Sequence, residues 1–170
     1  MIIAITGGAG ALGSAVAKHV VGQGYRAALL DTPAAKARLD ERVATLGSDK
    51  AVAITGDFAE AEAWSGALVA IEKTFGGRPT HAALIAGGWD GGVKIFEEKA
   101  TSVFQKMMRM NTDTVHAALT SLLPAMTAAK SMSAQPGRTR PGKSANWTWR
   151  MSAACAVMNA TGSTPDLARW

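Results

Sequence analysis

The stretch ITGGAGALG, residues 5–13, determines how the rest of the chain is interpreted. It overlaps the apolar, β-branched run IIAIT at residues 2–6, which is typical of a buried strand. It leads into a segment in which Leu12, Val16 and Val20 recur every four residues, as on one face of a helix. The stretch is therefore predicted to be a glycine-dense turn between a strand and a helix.

Three glycines of this turn, Gly8, Gly10 and Gly13, have the spacing G-x-G-x-x-G. Glycines at these positions allow a tight turn and let the backbone approach a pyrophosphate closely. A helix that begins near Ala11 would direct free N–H groups and its positive dipole end at that phosphate. A tight strand-to-helix turn without a ligand is the alternative, but the position between strand and helix favours dinucleotide binding.

Strand and helix patterns alternate over the first 128 residues, with short connections. Further strands are predicted at residues 26–31, 51–57 and 81–88, and further helices at 33–47, 59–77 and 101–126. Such alternation predicts an α/β fold of Rossmann type, a doubly wound parallel sheet whose simplest strand order is 3-2-1-4. We expect the sheet to be truncated after about four strands, within a dinucleotide-binding domain over residues 1–130.

The composition changes after residue 130, where no clean periodicity continues. Residues 131–170 contain three of the five tryptophans, and the fifth apolar strand expected there is not found. Residues 151–160 fit either a short helix or a strand. The segment is interpreted as an irregular basic tail, either disordered or a frameshifted reading of a longer gene; a divergent C-terminus is the alternative. Translation of the other two frames beyond codon 130 would test the frameshift.

The formal net charge of +5 invites a nucleic-acid hypothesis, but the distribution of charge argues against it. Residues 131–170 carry five basic residues and one acidic residue, so the remainder is nearly neutral. The basic, tryptophan-containing tail keeps nucleic-acid binding as a third hypothesis.

With 48% hydrophobic residues we expect a globular protein. One cysteine, Cys155, and the lack of a recognisable secretory signal or apolar membrane span predict a cytoplasmic protein without a membrane partner.

Polar and small residues follow the predicted strands. Asp31, about 20 residues beyond the glycines, would accept hydrogen bonds from the adenosine ribose and repel a 2′-phosphate, which favours NAD over NADP. Asp57 would reach the adenine amino group. Both carboxylates could instead cap the helices that follow them. The stretch AGG at residues 86–88 would clear space for a nicotinamide, or would form a plain turn.

Together these residues resemble the short-chain dehydrogenases/reductases over about residues 1–128. TGGAGALG at 6–13 resembles the family's T-G-x-x-x-G-x-G motif, with Ala11 in place of the middle glycine, and AGG resembles the second half of its N-N-A-G motif. The resemblance implies a cofactor site formed by Thr6, Gly7, Gly10, Ala11, Leu12, Gly13, Asp31, Asp57, Phe58, Ala86 and Gly87.

The stretch at residues 104–126 resembles the family's long helix, with Phe104, Asn111 and Pro124 at the family's spacing. The resemblance assigns a catalytic role to Asn111, which would brace the water network of the active site. Residues 86–92, AGGWDGG, are similar to the strand-four loop of dihydropteridine reductases, which implies a quinonoid pterin substrate and NADH.

Family members interconvert carbonyls and alcohols with a Ser, a Tyr and a Lys, the last two in Y-x-x-x-K. This chain has one tyrosine, Tyr25, on the first crossover, and no Y-x-x-x-K. The resemblance therefore implies an NAD(H)-dependent oxidoreductase that is catalytically incomplete, with a small carbonyl or alcohol as substrate and a homo-oligomer formed through the long helix. A non-catalytic dinucleotide-binding protein or fragment is the alternative.

The remaining candidate residues carry weaker signals. The three histidines, His19, His81 and His116, are interpreted as structural or solvated, since no set of ligands has metal-site spacing. The methionines of the long helix are interpreted as packing residues; these are Met107, Met108 and Met110.

Overall fold

The computed structural model describes the backbone of residues 1–133, 150–152 and 155–159, and the side chains of residues 1–127. Four strands form a parallel sheet in the order β3-β2-β1-β4. Their bounds are β1 Ile2–Thr6, β2 Arg26–Asp31, β3 Ala51–Thr55 and β4 His81–Leu84. The predicted Rossmann-type α/β sheet, with its 3-2-1-4 order, is confirmed.

The helices lie between these strands as the alternation predicts, with local differences. Their bounds are α1 Ala11–Gly22, α2 Lys36–Leu46, α3 Ala61–Phe75, α4 Ala100–Met108 and α5 Thr114–Ser133. A 3-10 turn at Pro33–Ala35 precedes α2, because proline fits the first turn of a helix but donates no backbone hydrogen bond. A π-helical segment, Arg109–Asp113, joins α4 to α5, so the predicted long helix is continuous but not uniform.

The sheet buries both of its faces, as a doubly wound fold requires. Neighbouring residues of a strand point to opposite faces, so Leu29 and Leu30 enter different cores. Leu29 packs in a cluster with Val20 of α1 and Leu39 of α2. Leu30 packs in a cluster with the residues of α3 and α5. Helices therefore cover both faces of the sheet, and the carboxyl edge of the strands is left to the loops that follow them.

Trp64 anchors the connection between β3 and α3. Its side chain is completely buried, and its indole N–H donates a hydrogen bond of 3.0 Å to the carbonyl oxygen of Phe58. The Phe58 ring meets the indole edge-on at a centroid distance of 5.1 Å. Phe58, expected from the family resemblance to contact a cofactor, is thus held in the core.

Two short strands extend the sheet beyond β4. β6, Cys155–Asn159, pairs with β4 in antiparallel register, and β5, Arg150–Ser152, pairs with β6. The segment left open as helix or strand is therefore a strand over 155–159, although the sequence did not show a fifth apolar strand. The free edge of β4 offers unpaired backbone groups that such a strand can satisfy. The other residues of the predicted tail lie outside the described residues, and the domain boundary at residue 130 stays a prediction.

Candidate functional site

The glycine turn after β1 is closely packed. Gly7 has a φ of +68°, a left-handed conformation that favours glycine, and a Cβ there would lie 3.1 Å from the backbone of Ala86. The N–H of Gly10 donates to the carbonyl oxygen of Gly7 at 3.0 Å, which closes the turn. The turn therefore lies directly against the segment that follows β4.

Gly13 brings α1 against this turn. A Cβ on Gly13 would overlap the carbonyl oxygen of Gly7 and would lie 2.8 Å from its carbonyl carbon. Gly8 is similarly confined, because its Cβ would lie 2.8 Å from the Cβ of Leu29. These glycines are required by the close approach of strand, turn and helix, and that approach fixes where α1 begins.

The N-terminus of α1 has no side-chain cap. Gly10 occupies the N-cap position with a φ of −73° and a ψ of 167°, and no side chain accepts a hydrogen bond from the first turn. The first N–H groups of a helix have no partner within the helix, so they remain available to an acceptor in front of it. Since they also lie at the positive end of the helix dipole, an anion is the acceptor they suit best.

An open pocket of about 450 Å³ lies in front of this helix end. It sits at the carboxyl edge of the sheet, where β1 and β4 meet and the strand order reverses, the usual place for a ligand in such folds. Its lining consists of Gly7, Gly10, Ala11, Leu12, Gly13, Asp31, Thr32, Arg38, Ile85, Ala86, Gly87, Met110 and Thr114.

Asp31 joins the end of β2 to the glycine turn. Its Oδ2 accepts a hydrogen bond of 3.0 Å from the N–H of Ala9, and its Oδ1 accepts one of 2.8 Å from the N–H of Thr32. A carboxylate has about four acceptor positions, so Asp31 can accept further hydrogen bonds besides these two. Asp31 therefore has two roles, because it holds the turn in place and also presents an acceptor to the pocket.

Thr6 supports the pocket from behind. Its side chain is buried, and its hydroxyl accepts hydrogen bonds from the N–H groups of Ile85 and Ala86 at 2.9 and 3.0 Å. These bonds fix the segment after β4 beside the end of β1. Thr6 is thus absent from the pocket lining, although the family resemblance implied a cofactor contact.

Asn111 holds the same segment from the other side. Its amide Nδ2 donates to the carbonyl oxygens of Gly88 and Met107 at 3.0 and 2.9 Å, and its Oδ1 accepts from the N–H of Gly88 at 3.1 Å. A Cβ on Gly87 would lie 2.7 Å from that Oδ1. Asn111 therefore clamps residues 87–88 without lining the pocket itself.

Substitution of Asn111 by alanine is expected to loosen this clamp. The variant loses the paired hydrogen bonds to Gly88, so amide exchange at Gly87 and Gly88 should rise roughly tenfold, about 1.4 kcal/mol of local stability. Hydrogen exchange measured by mass spectrometry or NMR tests this. Thr112→Ala is the control, because the side chain of Thr112, among the described residues, donates a hydrogen bond only to the sulfur of Met108, at 3.8 Å. Equal exchange in both variants would contradict the clamp.

Asp57 is engaged by an ion-pair cluster instead of lining the pocket. Nη2 of Arg109 in the π-helical segment donates to Oδ2 of Asp57 at 2.6 Å and to Oε1 of Glu60 at 2.8 Å. Oδ1 of Asp57 accepts from the N–H of Ala59 at 3.2 Å, so the carboxylate also caps the turn before α3. The cluster ties that turn to the long helix.

The Arg109 hydrogen bond lowers the pKa of Asp57 below its ordinary value of 3.8, while hydrogen bonds to Glu60 and Asp57 raise the pKa of Arg109. Because the pKa of Asp57 is lower in the folded chain, the pair adds stability above about pH 3.8, and this stability is lost as the pH falls through the lowered pKa.

In Arg109→Met the pKa of Asp57 should therefore rise toward 3.8, and NMR of the carboxyl carbon can measure this rise.

Arg78→Met supplies the control for this titration, since Arg78 pairs with Glu72 at 3.4 Å and not with Asp57. It should leave the titration of Asp57 unchanged. An Asp57 that titrates identically in both variants would refute the assignment.

Five lining residues were not anticipated from the sequence: Thr32, Arg38, Ile85, Met110 and Thr114. Met110 was interpreted as a packing residue, and the structure places it in the pocket wall. Met110 and Thr114 are four residues apart, so the helix face that these two residues share was the available signal. Nothing in the sequence pattern distinguished Arg38 from the other cations of α2.

The histidines do not line the pocket. His81 begins β4 at the opposite edge of the sheet, where its Nδ1 lies 3.0 Å from the hydroxyl of Thr80, and burial lowers its pKa. His19 and His116 are exposed on α1 and α5. Within the described part of the chain, no group of three or more His, Cys, Asp or Glu residues could hold a metal ion. Its helices include none long and apolar enough to cross a membrane.

The family model described as short chain dehydrogenase matches residues 1–135. The chain belongs to the short-chain dehydrogenase family. The matched residues include the glycine turn, Asp31 and the segment after β4, the three features that were predicted to form a nucleotide site. No curated protein matches this sequence.

Solved structures share the fold. A short-chain dehydrogenase/reductase of Brucella melitensis, described as a glucose/ribitol dehydrogenase, is 25% identical with a TM-score of 0.61, over 74% of this chain and 51% of that one. The apo form of LigD from Sphingobium sp. strain SYK-6 is 26% identical with a TM-score of 0.64, over 75% and 54%.

A 3-ketoacyl-(acyl-carrier-protein) reductase of Brucella melitensis, solved with NADH, is 20% identical with a TM-score of 0.62, over 77% and 52%. The chain spans about half the length of the solved structures that it matches. The likeness of residues 86–92 to dihydropteridine reductases stays a prediction.

Proposed function

We propose that this chain binds a nicotinamide dinucleotide, with NAD(H) preferred, in the pocket in front of α1. The observation that supports this most is that one pocket joins three features: the uncapped start of α1, the carboxylate of Asp31 and the segment at Ala86 and Gly87. A dinucleotide has a matching sequence of groups, a pyrophosphate between a ribose diol and a nicotinamide.

Each part of the proposed ligand has a partner. The N–H groups at the start of α1 hold the pyrophosphate, and Asp31 accepts hydrogen bonds from the adenosine ribose. Ala86 and Gly87 leave room for the nicotinamide, and Thr6 and Asn111 hold this backbone segment in place from behind. Asp57 is proposed for the adenine amino group, because Arg109 and Ala59 use only part of its acceptor capacity.

The reaction proposed from the family is hydride transfer between the nicotinamide and a carbonyl or alcohol, and the bound cofactor supplies the hydride. Within this sequence, no Y-x-x-x-K provides the proton donor and the lysine that lowers its pKa. We therefore propose that the chain as written binds the cofactor but is catalytically incomplete. The second candidate, a dinucleotide-binding protein without catalysis, rests on the same pocket and on this missing pair.

One titration followed by one assay separates these proposals. NADH fluorescence is measured against increasing concentrations of the full chain, and turnover is then tested with a panel of aldehydes and ketones. Saturable binding without turnover supports the non-catalytic candidate, whereas turnover shows that another group supplies the proton. If the chain leaves NADH fluorescence unchanged at every concentration, dinucleotide binding is refuted altogether.

A further inference from the structure

Residues 88–113, which we call the loop–helix segment, border the pocket but are not held by the core. The segment contains the loop after β4, α4 and the π-helical residues. None of its residues is buried, and neither hydrophobic cluster includes any of them. Because apolar burial is the main force that fixes an element against the fold, the position of this segment depends largely on its polar contacts.

Polar contacts tie the loop of this segment to its helix. The N–H of Asp90 donates to Sδ of Met107 at 3.1 Å, and the Asp90 carboxylate pairs with Nζ of Lys106 at 2.6 Å. Asn111 adds its paired hydrogen bonds to Gly88. These contacts hold the loop and the helix to each other, so the two form one unit.

Arg109 attaches this unit to the rest of the fold. Among the side chains that the structure describes in residues 88–113, Arg109 is the only one that hydrogen-bonds to a residue outside the segment. Its Nη2 donates to Asp57 at 2.6 Å and to Glu60 at 2.8 Å, both of which precede α3. Two carboxylates share one guanidinium, so the three charges form a network and not an isolated pair.

This attachment joins the two sides of the proposed site. Asp57 is the residue proposed for the adenine amino group. Met110, which follows Arg109 directly, lines the pocket, and the next residue, Asn111, holds Gly88 beside the space proposed for the nicotinamide. Three consecutive residues therefore connect the adenine side of the site to its nicotinamide side.

From this arrangement we infer that Arg109 is a positioning residue that fixes the nicotinamide side of the site from its adenine side. Its bonds to Asp57 and Glu60 hold the loop–helix segment where Asn111 can engage Gly88. Arg109 itself does not line the pocket. This inference rests on the proposed binding of a dinucleotide in that pocket.

Amide hydrogen exchange of the ligand-free full chain measures this role. Arg109→Met should speed exchange at Gly88 about threefold, since a partly exposed charge network contributes modestly to local stability. Exchange at Ile5, in the buried strand β1, should stay unchanged, and equal acceleration there would show a general loss of stability and overturn the inference. Arg78→Met is the matched control, because it removes an exposed ion pair with Glu72 and should leave both amides unchanged.

A double-mutant cycle shows whether Arg109 acts through the clamp. Once Asn111→Ala has removed the clamp, adding Arg109→Met should speed exchange at Gly88 by less than about 1.5-fold. Asp57→Ala combined with Glu60→Ala removes both acceptors of Arg109 and should reproduce the rise seen in Arg109→Met. Fully additive effects of Arg109→Met and Asn111→Ala, or no rise on removal of the two carboxylates, would overturn the inference.

A titration of the unsubstituted chain with NADH keeps this inference apart from the proposed function. The exchange experiments need no nucleotide, so an unchanged Gly88 in Arg109→Met overturns the inference and leaves dinucleotide binding standing. A selective rise at Gly88 in a chain that binds NADH supports both. A chain that binds no NADH overturns the proposed function and, with it, the role of Arg109 toward a cofactor.

Discussion

Gly13→Ala is expected to abolish dinucleotide binding, with at least a hundredfold loss of affinity for NADH. The added Cβ would overlap the carbonyl oxygen of Gly7, and both atoms belong to closely packed backbone, so neither can rotate away. The start of α1 must then move away from the turn that it packs against. Overpacking of this kind costs about 1–3 kcal/mol of the free energy of unfolding. NADH titration and thermal unfolding measure the two effects.

Gly22→Ala is the matched control for this substitution. It makes the same change at the other end of α1, where a Cβ would meet no atom within 4 Å. Alanine is the better helix former, so the control should bind NADH normally and unfold at the same or a slightly higher temperature. If Gly13→Ala keeps an NADH affinity within threefold of the unsubstituted chain, the helix start is not the phosphate site.

The second large effect is expected for Asp31→Ala, which should weaken NADH by about 10- to 100-fold and NADPH much less. The variant loses the acceptor for the ribose hydroxyls, a contact worth about 1.5–3 kcal/mol for a charged hydrogen bond. It also frees the N–H groups of Ala9 and Thr32, so the glycine turn is held less firmly. The NADPH complex gains from the loss of a repelling carboxylate, and the preference for NADH should narrow.

Asp40→Ala provides the comparison, because Asp40 on α2 carries the same charge as Asp31 but is exposed and, among the described residues, pairs only with Lys36. Its affinities for both nucleotides should stay within about twofold of the unsubstituted chain. An unchanged ratio of NADH to NADPH affinity in Asp31→Ala would remove Asp31 from the ribose site. Isothermal titration with each nucleotide gives the ratio directly.

Local sequence patterns were sufficient to predict the order of the strands and helices and most of the pocket residues that lie in turns and at strand ends. The β-branched run before the glycines and the four-residue spacing after them predict β1 and α1, since period and composition are local properties. Asp31, Ala86 and Gly87 could be predicted because each lies at or just after the end of a strand. Parallel strands bring their carboxyl ends to one edge of the sheet. Their meeting in one pocket follows from topology alone.

The side chains supplied by helices could not be predicted in the same way. Arg38, Met110 and Thr114 line the pocket because of how α2, the π-helical segment and α5 pack on the sheet, and no short-range pattern encodes that packing. Thr6 and Phe58 illustrate the converse, because a motif fixes their positions in the chain but not the direction of their side chains. Thr6 faces the backbone of residues 85–86, and Phe58 faces Trp64.

The π-helical segment acts like an insertion of one residue into the long helix. A π turn holds one residue more than an α turn, and each residue of an α-helix turns the chain by about 100°. α4 has no buried residue, whereas α5 buries Ala118 and Leu122 completely, so the second half of the long helix is the half that the core anchors. Deletion of a single residue within 109–113 would rotate one half against the other and would separate the pocket wall at Met110 from the core that positions it.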